Sequence, residues 1–169
     1  MNSTITPEQK FKQLYEQMYR ICQENNWGDP FQYARSKEIY AANELNHTVA
    51  SDYSGADAHN GDKDCEYKST VAKNCQGSYT GISVQPTWAE QVIYLKEKKI
   101  AKYDEHYYNR FDKETGLMVE SWVMPGKDVL RLLLPKLKLK YPTVLNKKDP
   151  RLSANITWSE IQKYGKRVK

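Results

Sequence analysis

The chain has 169 residues and a mass of 19.7 kDa, and 39% of its residues are hydrophobic; this excludes a disordered protein and favours one domain, residues 1–169. It contains no apolar stretch of ~18 residues and no basic-then-apolar leader, which argues against a membrane span and a secretory signal. Three widely spaced cysteines without a CxxC motif exclude a disulfide scaffold and a zinc centre. We therefore expect a soluble protein of a reducing, cytoplasmic compartment with no membrane partner.

Charge is distributed unevenly along the chain. The whole chain carries a formal net charge of +5, but residues 127–169 carry +9, so residues 1–126 carry −4. A basic C-terminal third beside a more acidic body predicts a polyanion-binding surface next to a carboxylate site.

The N-terminal region predicts two helices. Thr6 as N-cap, with Pro7 at the first helical position and Gln9 closing a capping box, starts a helix that ends near Asn25. We expect its apolar stripe to pack against a core; the stripe comprises Phe11, Leu14, Tyr15, Met18, Ile21 and Cys22. Asp29 repeats the start signal for a second helix, which ends near Leu45.

A carboxylate lies within the apolar face of this second helix. Its spacing from Phe31, Ala34 and Leu45 places Glu38 on the same side and predicts that it points inward. A buried carboxylate requires a cation, a hydrogen-bond donor or a proton. The alternative is a glutamate at the edge of the stripe that pairs with Arg35 or Lys37.

An acidic hairpin is predicted over residues 48–71, with Asn60-Gly61 as its turn signal. Strand alternation places Glu66 and Lys68 on one face. Any even loop length keeps Asp57 on that face, opposite Asp64 with a two-residue loop and opposite Glu66 with a four-residue loop. Two carboxylates and an ammonium group therefore gather within about 5 to 8 Å.

The remaining segments predict further sheet and helix. Residues 72–86 are polar and indicate a loop or irregular strand, and residues 87–98 indicate a short helix. Residues 103–111 and 117–124 form a second hairpin, and residues 127–134 form a helix that Pro135 stops or kinks. The expected fold is α/β, a central mixed β-sheet flanked by helices.

The acidic hairpin has the groups that metal-dependent phosphodiester hydrolysis requires. The carboxylates of Asp57 and Glu66 with the backbone carbonyl of Tyr67 are hard oxygen ligands of the kind that Mg²⁺ prefers. Lys68 beside them would position water or offset charge that develops on the phosphate. A solvated hairpin in which Lys68 only pairs with Glu66 or Asp64 is the structural alternative.

These residues resemble a known family. Gly55-Ala56-Asp57-Ala58 followed by Glu66-Tyr67-Lys68-Ser69-Thr70 resembles the PD-(D/E)XK nuclease superfamily, in particular the small type II restriction endonucleases. Ala56 stands in place of the family's proline, and Glu38 matches a glutamate that many members carry on the preceding helix. The resemblance implies a restriction-endonuclease-like core, Mg²⁺ with Mn²⁺ as a substitute, no organic cofactor, and catalysis by Asp57, Glu66, Lys68 and Glu38.

Within such a single endonuclease domain, residues 1–46 would be N-terminal helices, 47–124 the catalytic hairpin and sheet, and 125–169 a basic, helical C-terminal part. Basic residues of that last part would contact phosphates. The side chains expected at the DNA, on phosphates or base edges, are His59, Ser69, Asn74, Gln76, Arg110, Arg151, Ser153 and Asn155.

The expected function is site-specific cleavage of double-stranded DNA by a type II restriction enzyme within a restriction-modification system. One chain holds one set of Asp57, Glu66 and Lys68, so cutting both strands of a palindromic site predicts a homodimer. Two alternatives stay open: a structure-selective, nicking or repair nuclease of the same superfamily, and a non-catalytic DNA-binding protein.

Overall fold

The computed structural model of the chain describes residues 5–51 and 55–169. Residues 52–54, which belong to the segment predicted to be strand-like, lie outside these ranges. The helices are α1 (Pro7–Glu24), α2 (Arg35–Glu44), α3 (Trp88–Tyr94), α4 (Gly126–Val144) and α5 (Trp158–Tyr164), and α3 continues into a π-helical turn, Leu95–Lys99. The strands are β1 (Thr48–Val49), β2 (Ala58–Asn60), β3 (Lys63–Thr70), β4 (Gly77–Ser83), β5 (Glu105–Phe111), β6 (Met118–Pro125), β7 (Arg151–Ile156) and β8 (Lys166–Arg167).

The strands form a central mixed sheet and a smaller one. The six-stranded sheet has the order β1-β2-β3-β5-β6-β8, in which β3 and β5 run parallel and the other neighbours antiparallel. Strands β4 and β7 pair antiparallel in a separate two-stranded sheet. Helices pack on the central sheet, which confirms the predicted α/β class with a mixed central sheet flanked by helices.

Each face of the central sheet has its own apolar core. Alternation along β3 directs Cys65 and Tyr67 towards α2, where they pack with Ala41 and Ala42. The larger core joins β4, β7, α4 and α5 and includes Tyr108 of β5. Because Glu66 and Lys68 alternate with Cys65 and Tyr67, they face the side of β4 rather than that of the α2 core.

The helix starts predicted at Thr6 and at residue 87 are confirmed, and each is a capping box, whereas the start predicted at Asp29 is wrong. Thr6 and Thr87 each accept a hydrogen bond from the N3 backbone amide, and each N3 side chain accepts one from the N-cap backbone amide. Asp29 instead accepts from the Phe31 amide at 2.8 Å within a turn, and α2 begins only at Arg35. The reason is local: Asp side chains cap short turns as readily as helices.

The predicted apolar stripe of α1 is present but does not pack against the core. Cys22 is buried, whereas Phe11, Leu14, Met18 and Ile21 are exposed. Periodicity defines which residues share a helix face, but it does not say what covers that face.

The C-terminal part differs from its sequence-based description in two places. Helix α4 continues through Pro135 to Val144, because Leu133, Leu137 and Tyr141 bury one continuous face on the larger core. Strand β7 lies in the part predicted to be helical, and it pairs with β4, which forms within the segment predicted as loop or irregular strand. None of the helices among the described residues is both long and apolar enough to cross a membrane.

Candidate active site

The acidic hairpin reverses at Gly61-Asp62, one residue later than the predicted Asn60-Gly61. Asn60 pairs with Lys63 and Ala58 with Cys65, and Gly61 adopts φ +63°, a left-handed conformation that favours glycine. The amide of Asp57 donates to the carbonyl of Cys65 at 2.9 Å. Of the two alternatives left open by the sequence, the structure therefore has the register that sets Asp57 opposite Glu66.

Two carboxylates and a lysine meet on this hairpin. The backbone N–H of Tyr67 donates to Asp57 Oδ2 at 2.6 Å. Lys68 Nζ donates to Glu66 Oε1 at 2.5 Å, and both side chains are largely buried. The ammonium group also lies 5.1 Å from the centre of the Tyr79 ring, within the range of a cation–π contact. Asp57, Glu66 and Lys68 line one pocket of about 320 Å³.

The pocket gathers three carboxyl groups around Lys68. Burial, followed by the charges of Glu66 and Glu38, raises the pKa of Asp57 to about 8. Burial also raises the pKa of Glu38, against the hydrogen bond from Arg35. Three carboxyl groups thus lie in a partly desolvated space with Lys68 and with Arg35 behind Glu38. Asp57 holds a proton at pH 7, and a bound cation would take the place of that proton.

The donor set fits a hard divalent cation with few protein ligands. Among residues 5–51 and 55–169, no three His, Cys, Asp or Glu side chains are grouped as a metal centre. Mg²⁺ is typically held by one or two carboxylates and completes its shell with water and substrate oxygens. Asp57, Glu66 and the Tyr67 carbonyl satisfy that requirement in type and number.

Glu38 lines the same pocket from α2, as its place on the helix face predicted. A buried guanidinium group lies behind it: Arg35, which is 1% exposed, donates to Glu38 Oε2 at 3.3 Å. Arg35 also donates to the carbonyls of Trp27, at 2.7 Å, and Ala50. It therefore joins α2 to the chain on both sides and fixes the direction of Glu38.

We expect Arg35→Met to reduce the free energy of unfolding by at least about 2 kcal/mol, because two buried carbonyls and Glu38 lose their donor. Urea denaturation followed by circular dichroism measures the change. Lys37→Met, an exposed position on the same helix, is the control and should be near neutral. Equal stability of the two variants would contradict this role of Arg35.

A buried polar chain beneath Lys68 was not identified from the sequence. His106 lies beside Glu66 on the adjacent parallel strand, and its Nε2 donates to the carbonyl of Ile100 at 3.0 Å. Its Nδ1 therefore accepts from the Tyr79 hydroxyl at 2.8 Å, and that hydroxyl lies 3.0 Å from the one of Tyr108. Burial lowers the pKa of His106 to about 4, so the ring is neutral at pH 7. Successive side chains of β5 alternate between the two faces of the sheet, and this alternation could have indicated from the sequence that His106 points inward.

The side chains expected at DNA are placed unequally around the pocket. Ser69 and Gln76 line it, and the buried Oγ of Ser69 has no hydrogen-bond partner among the described residues. Ser78 lines it too and pairs across β4 and β7 with Asn155. The pocket lining does not include His59, Asn74, Arg110, Arg151, Ser153 and Asn155.

Several of these residues already have partners. His59 lies 2.9 Å from Asp64, Arg110 is 2.9 Å from Glu120, and Arg151 is 3.0 Å from Asp149. Asn74 is exposed and Ser153 is half-buried. These positions lie outside the pocket lining.

A scan against protein-family models gives no match for this chain, and a search of curated proteins gives no significant match. The function is therefore inferred from the geometry of the pocket and from the residues that form it.

Proposed function

We propose that this chain is a Mg²⁺-dependent endonuclease with a restriction-endonuclease-like core, which hydrolyses double-stranded DNA at a short specific sequence as a type II restriction enzyme. The observation that supports it most is the meeting of Asp57, Glu66 and Lys68 in one pocket. Glu38 joins them from the preceding helix, in the place that the resemblance to PD-(D/E)XK nucleases implies.

The carboxylates of Asp57 and Glu66 and the carbonyl of Tyr67 would hold the Mg²⁺ ion, or Mn²⁺ in its place. When bound, such an ion polarises a phosphoryl oxygen and acidifies water. The chain prepares the site for it: Tyr67 N–H orients Asp57, and the neighbouring carboxylates supply the charge.

Lys68 is the cationic group of the site. Its ammonium group is held between Glu66 and the face of Tyr79, so few rotamers remain open to it. In this position it can orient the attacking water and offset negative charge that develops on the scissile phosphate. The buried hydrogen bond from the Tyr79 hydroxyl to His106 keeps the Tyr79 ring in place beneath Lys68.

DNA would lie across the pocket and the outer face of the β4–β7 sheet. Gln76, Ser78 and Asn155 offer hydrogen-bonding groups for base edges there. Two basic residues of the C-terminal part have structural partners, because Lys136 binds Glu160 and Lys140 binds the Ser153 carbonyl. Other residues of the basic third would supply the phosphate contacts; they include Lys138, Lys147, Lys148, Lys163 and Lys166.

The test is incubation of the native protein with unmethylated plasmid and phage DNA, with Mg²⁺ or with EDTA, and resolution of the products on a gel. Discrete bands that require the metal support the proposal. Glu66→Gln should abolish them, and Glu114→Gln, an exposed position on the loop between β5 and β6, should not. Cleavage of branched DNA alone would favour a structure-selective nuclease, and binding without cleavage under any metal would favour a DNA-binding protein.

A further inference from the structure

A second, smaller cavity of about 100 Å³ adjoins the active-site pocket. The two cavities share Glu66, Lys68 and Ser78, so they meet at these side chains. Thr80 and Lys99 line the second cavity but not the first. We call it the basic cleft, because two lysines, Lys68 and Lys99, line it together with a single carboxylate, that of Glu66.

Lys99 is the last residue of the π-helical turn that follows α3. The amide of Ile100 donates to the carbonyl of Leu95 at 2.7 Å, and both side chains are buried, at 1% and 0% exposure. Residues that share one face of an α-helix are three or four apart, so the extra residue of the turn lets this pair reach the core together. His106 also donates to the carbonyl of Ile100 at 3.0 Å. The backbone that carries Lys99 to the cleft is therefore fixed by buried neighbours.

A second irregularity lies in β4, which carries Ser78 and Thr80 to the cleft. Between its pairs at Tyr79 and Ile82, β4 has one residue more than β7, and Gly81 within this bulge adopts φ +65°. Tyr79 and Ile82 are both buried, and Thr80 between them is exposed. A β-bulge redirects the side chains around it. Two elements thus each contain an extra residue where they place a polar side chain at the cleft.

The polar groups of the cleft are donors with unfilled capacity. Lys99 has no ion pair among residues 5–51 and 55–169. Lys68 has three N–H donors, and its one hydrogen bond within those ranges goes to Glu66. The hydroxyl groups of Ser78 and Thr80 lie beside them. Ammonium and hydroxyl donors around a small cavity suit a tetrahedral oxyanion, which accepts several charge-assisted hydrogen bonds.

We propose that the basic cleft binds a phosphate group, and that in the complex with DNA this group is the phosphate next to the one that is cut. The assignment to DNA rests on the proposed function, whereas the affinity of the cleft for phosphate does not. The two cavities meet at Lys68, and successive phosphates of one strand are joined by a single nucleoside. A strand held in both cavities has its position along the site fixed, which places the scissile bond at the active-site pocket.

Thermal unfolding in EDTA tests the phosphate site without DNA or metal. We expect inorganic phosphate at tens of millimolar, compared with chloride at the same ionic strength, to raise the melting temperature of the native protein by roughly 2 °C more than that of Lys99→Ala. This difference excludes the general stabilisation that phosphate gives to proteins. Lys96→Ala, an exposed position on the same turn outside the cleft lining, should respond like the native protein. Equal shifts for the native protein and Lys99→Ala would overturn the proposal.

Gel-shift titration in Ca²⁺ tests the assignment to a DNA phosphate. Lys99→Ala should weaken binding of a duplex that contains the cleaved site about 10-fold, and it should lower the slope of log affinity against log salt by about 1. A duplex with one uncharged methylphosphonate next to the cut should bind the native protein with the same loss. Lys99→Ala should show no further loss on that duplex, because both changes remove one contact.

The two proposals fail in different ways. If the losses from Lys99→Ala and from the methylphosphonate add at both phosphates that flank the cut, the assignment of the cleft is overturned while DNA cleavage still supports the nuclease. If the native protein neither binds nor cuts DNA, the proposed function and the assignment to a DNA phosphate are both overturned. In that case a stabilisation by inorganic phosphate that requires Lys99 still supports the phosphate site itself.

Discussion

Lys68→Ala is expected to lower the rate of Mg²⁺-dependent DNA cleavage by ~10²–10³-fold while DNA binding changes little, since Lys68 acts on charge that develops in the transition state. Its ammonium group lies between Glu66 and the Tyr79 ring, so no other cation of the pocket replaces it in that position. Single-turnover cleavage of a fixed DNA fragment measures the rate, and a gel-shift titration in Ca²⁺ measures binding.

Lys63→Ala is the matched control for this variant. Lys63 lies on the same strand, is half exposed and pairs with Glu105 at 2.6 Å. Its removal costs at most a surface ion pair and should leave the cleavage rate near that of the native protein. If Lys68→Ala and Lys63→Ala cleave equally fast, Lys68 has no catalytic role.

Asp57→Asn is expected to stabilise the metal-free protein at pH 8. The pKa of Asp57 is raised from 3.8 to about 8 by burial, Glu66 and Glu38, so between these pH values the folded state holds a proton that the unfolded state has lost. Stability therefore falls as the pH rises from about 4 to about 8. Asparagine cannot ionise, so we expect the melting temperature of the Asp57→Asn variant to exceed that of the native protein at pH 8 by roughly 3 °C or more.

With Mg²⁺ bound, we expect the native protein to melt at a higher temperature than Asp57→Asn. A ligand that binds only the folded state at 100 times its dissociation constant stabilises by ~2.7 kcal/mol, and binding here must also displace the proton of Asp57, so the effect increases with pH. Asp57→Asn should show little or no shift in melting temperature with Mg²⁺. Asp62→Asn, in the turn of the same hairpin, should behave like the native protein. A Mg²⁺ shift of full size in Asp57→Asn would show that the cation binds elsewhere.

The sequence predicted the local features of the site because they depend on local rules. Period-two alternation placed Glu66 and Lys68 on one face, and the period of a helix placed Glu38 on the inner side of α2. The exact loop was not predictable, because Asn60-Gly61 and Gly61-Asp62 are both good turn dipeptides. Only the pairing of Asn60 with Lys63 decides between them.

What the sequence did not predict depends on contacts between distant segments. Strand β7 is a strand because β4 pairs with it, and neither segment shows a strong pattern alone. The support of Lys68 by Tyr79 and His106 requires β3, β4 and β5 to meet, and Arg35 finds two of its partners in loop carbonyls of Trp27 and Ala50. The apolar stripe of α1 is exposed although it has the periodicity of a buried helix face, so the sequence alone could not show that nothing in the chain covers it.

The parallel pairing of β3 with β5 also bears on the order in which the protein folds. Cys65 aligns with Glu105 and Thr70 with Arg110, so each contact closes a long loop before it contributes any stabilisation. The hairpin that carries Asp57 and Glu66 is local and forms on a microsecond scale. Hydrogen exchange during refolding should therefore show protection of the amides that pair within the β2–β3 and β5–β6 hairpins before those that pair β3 with β5, with the carboxylates brought together before Lys68 acquires its support.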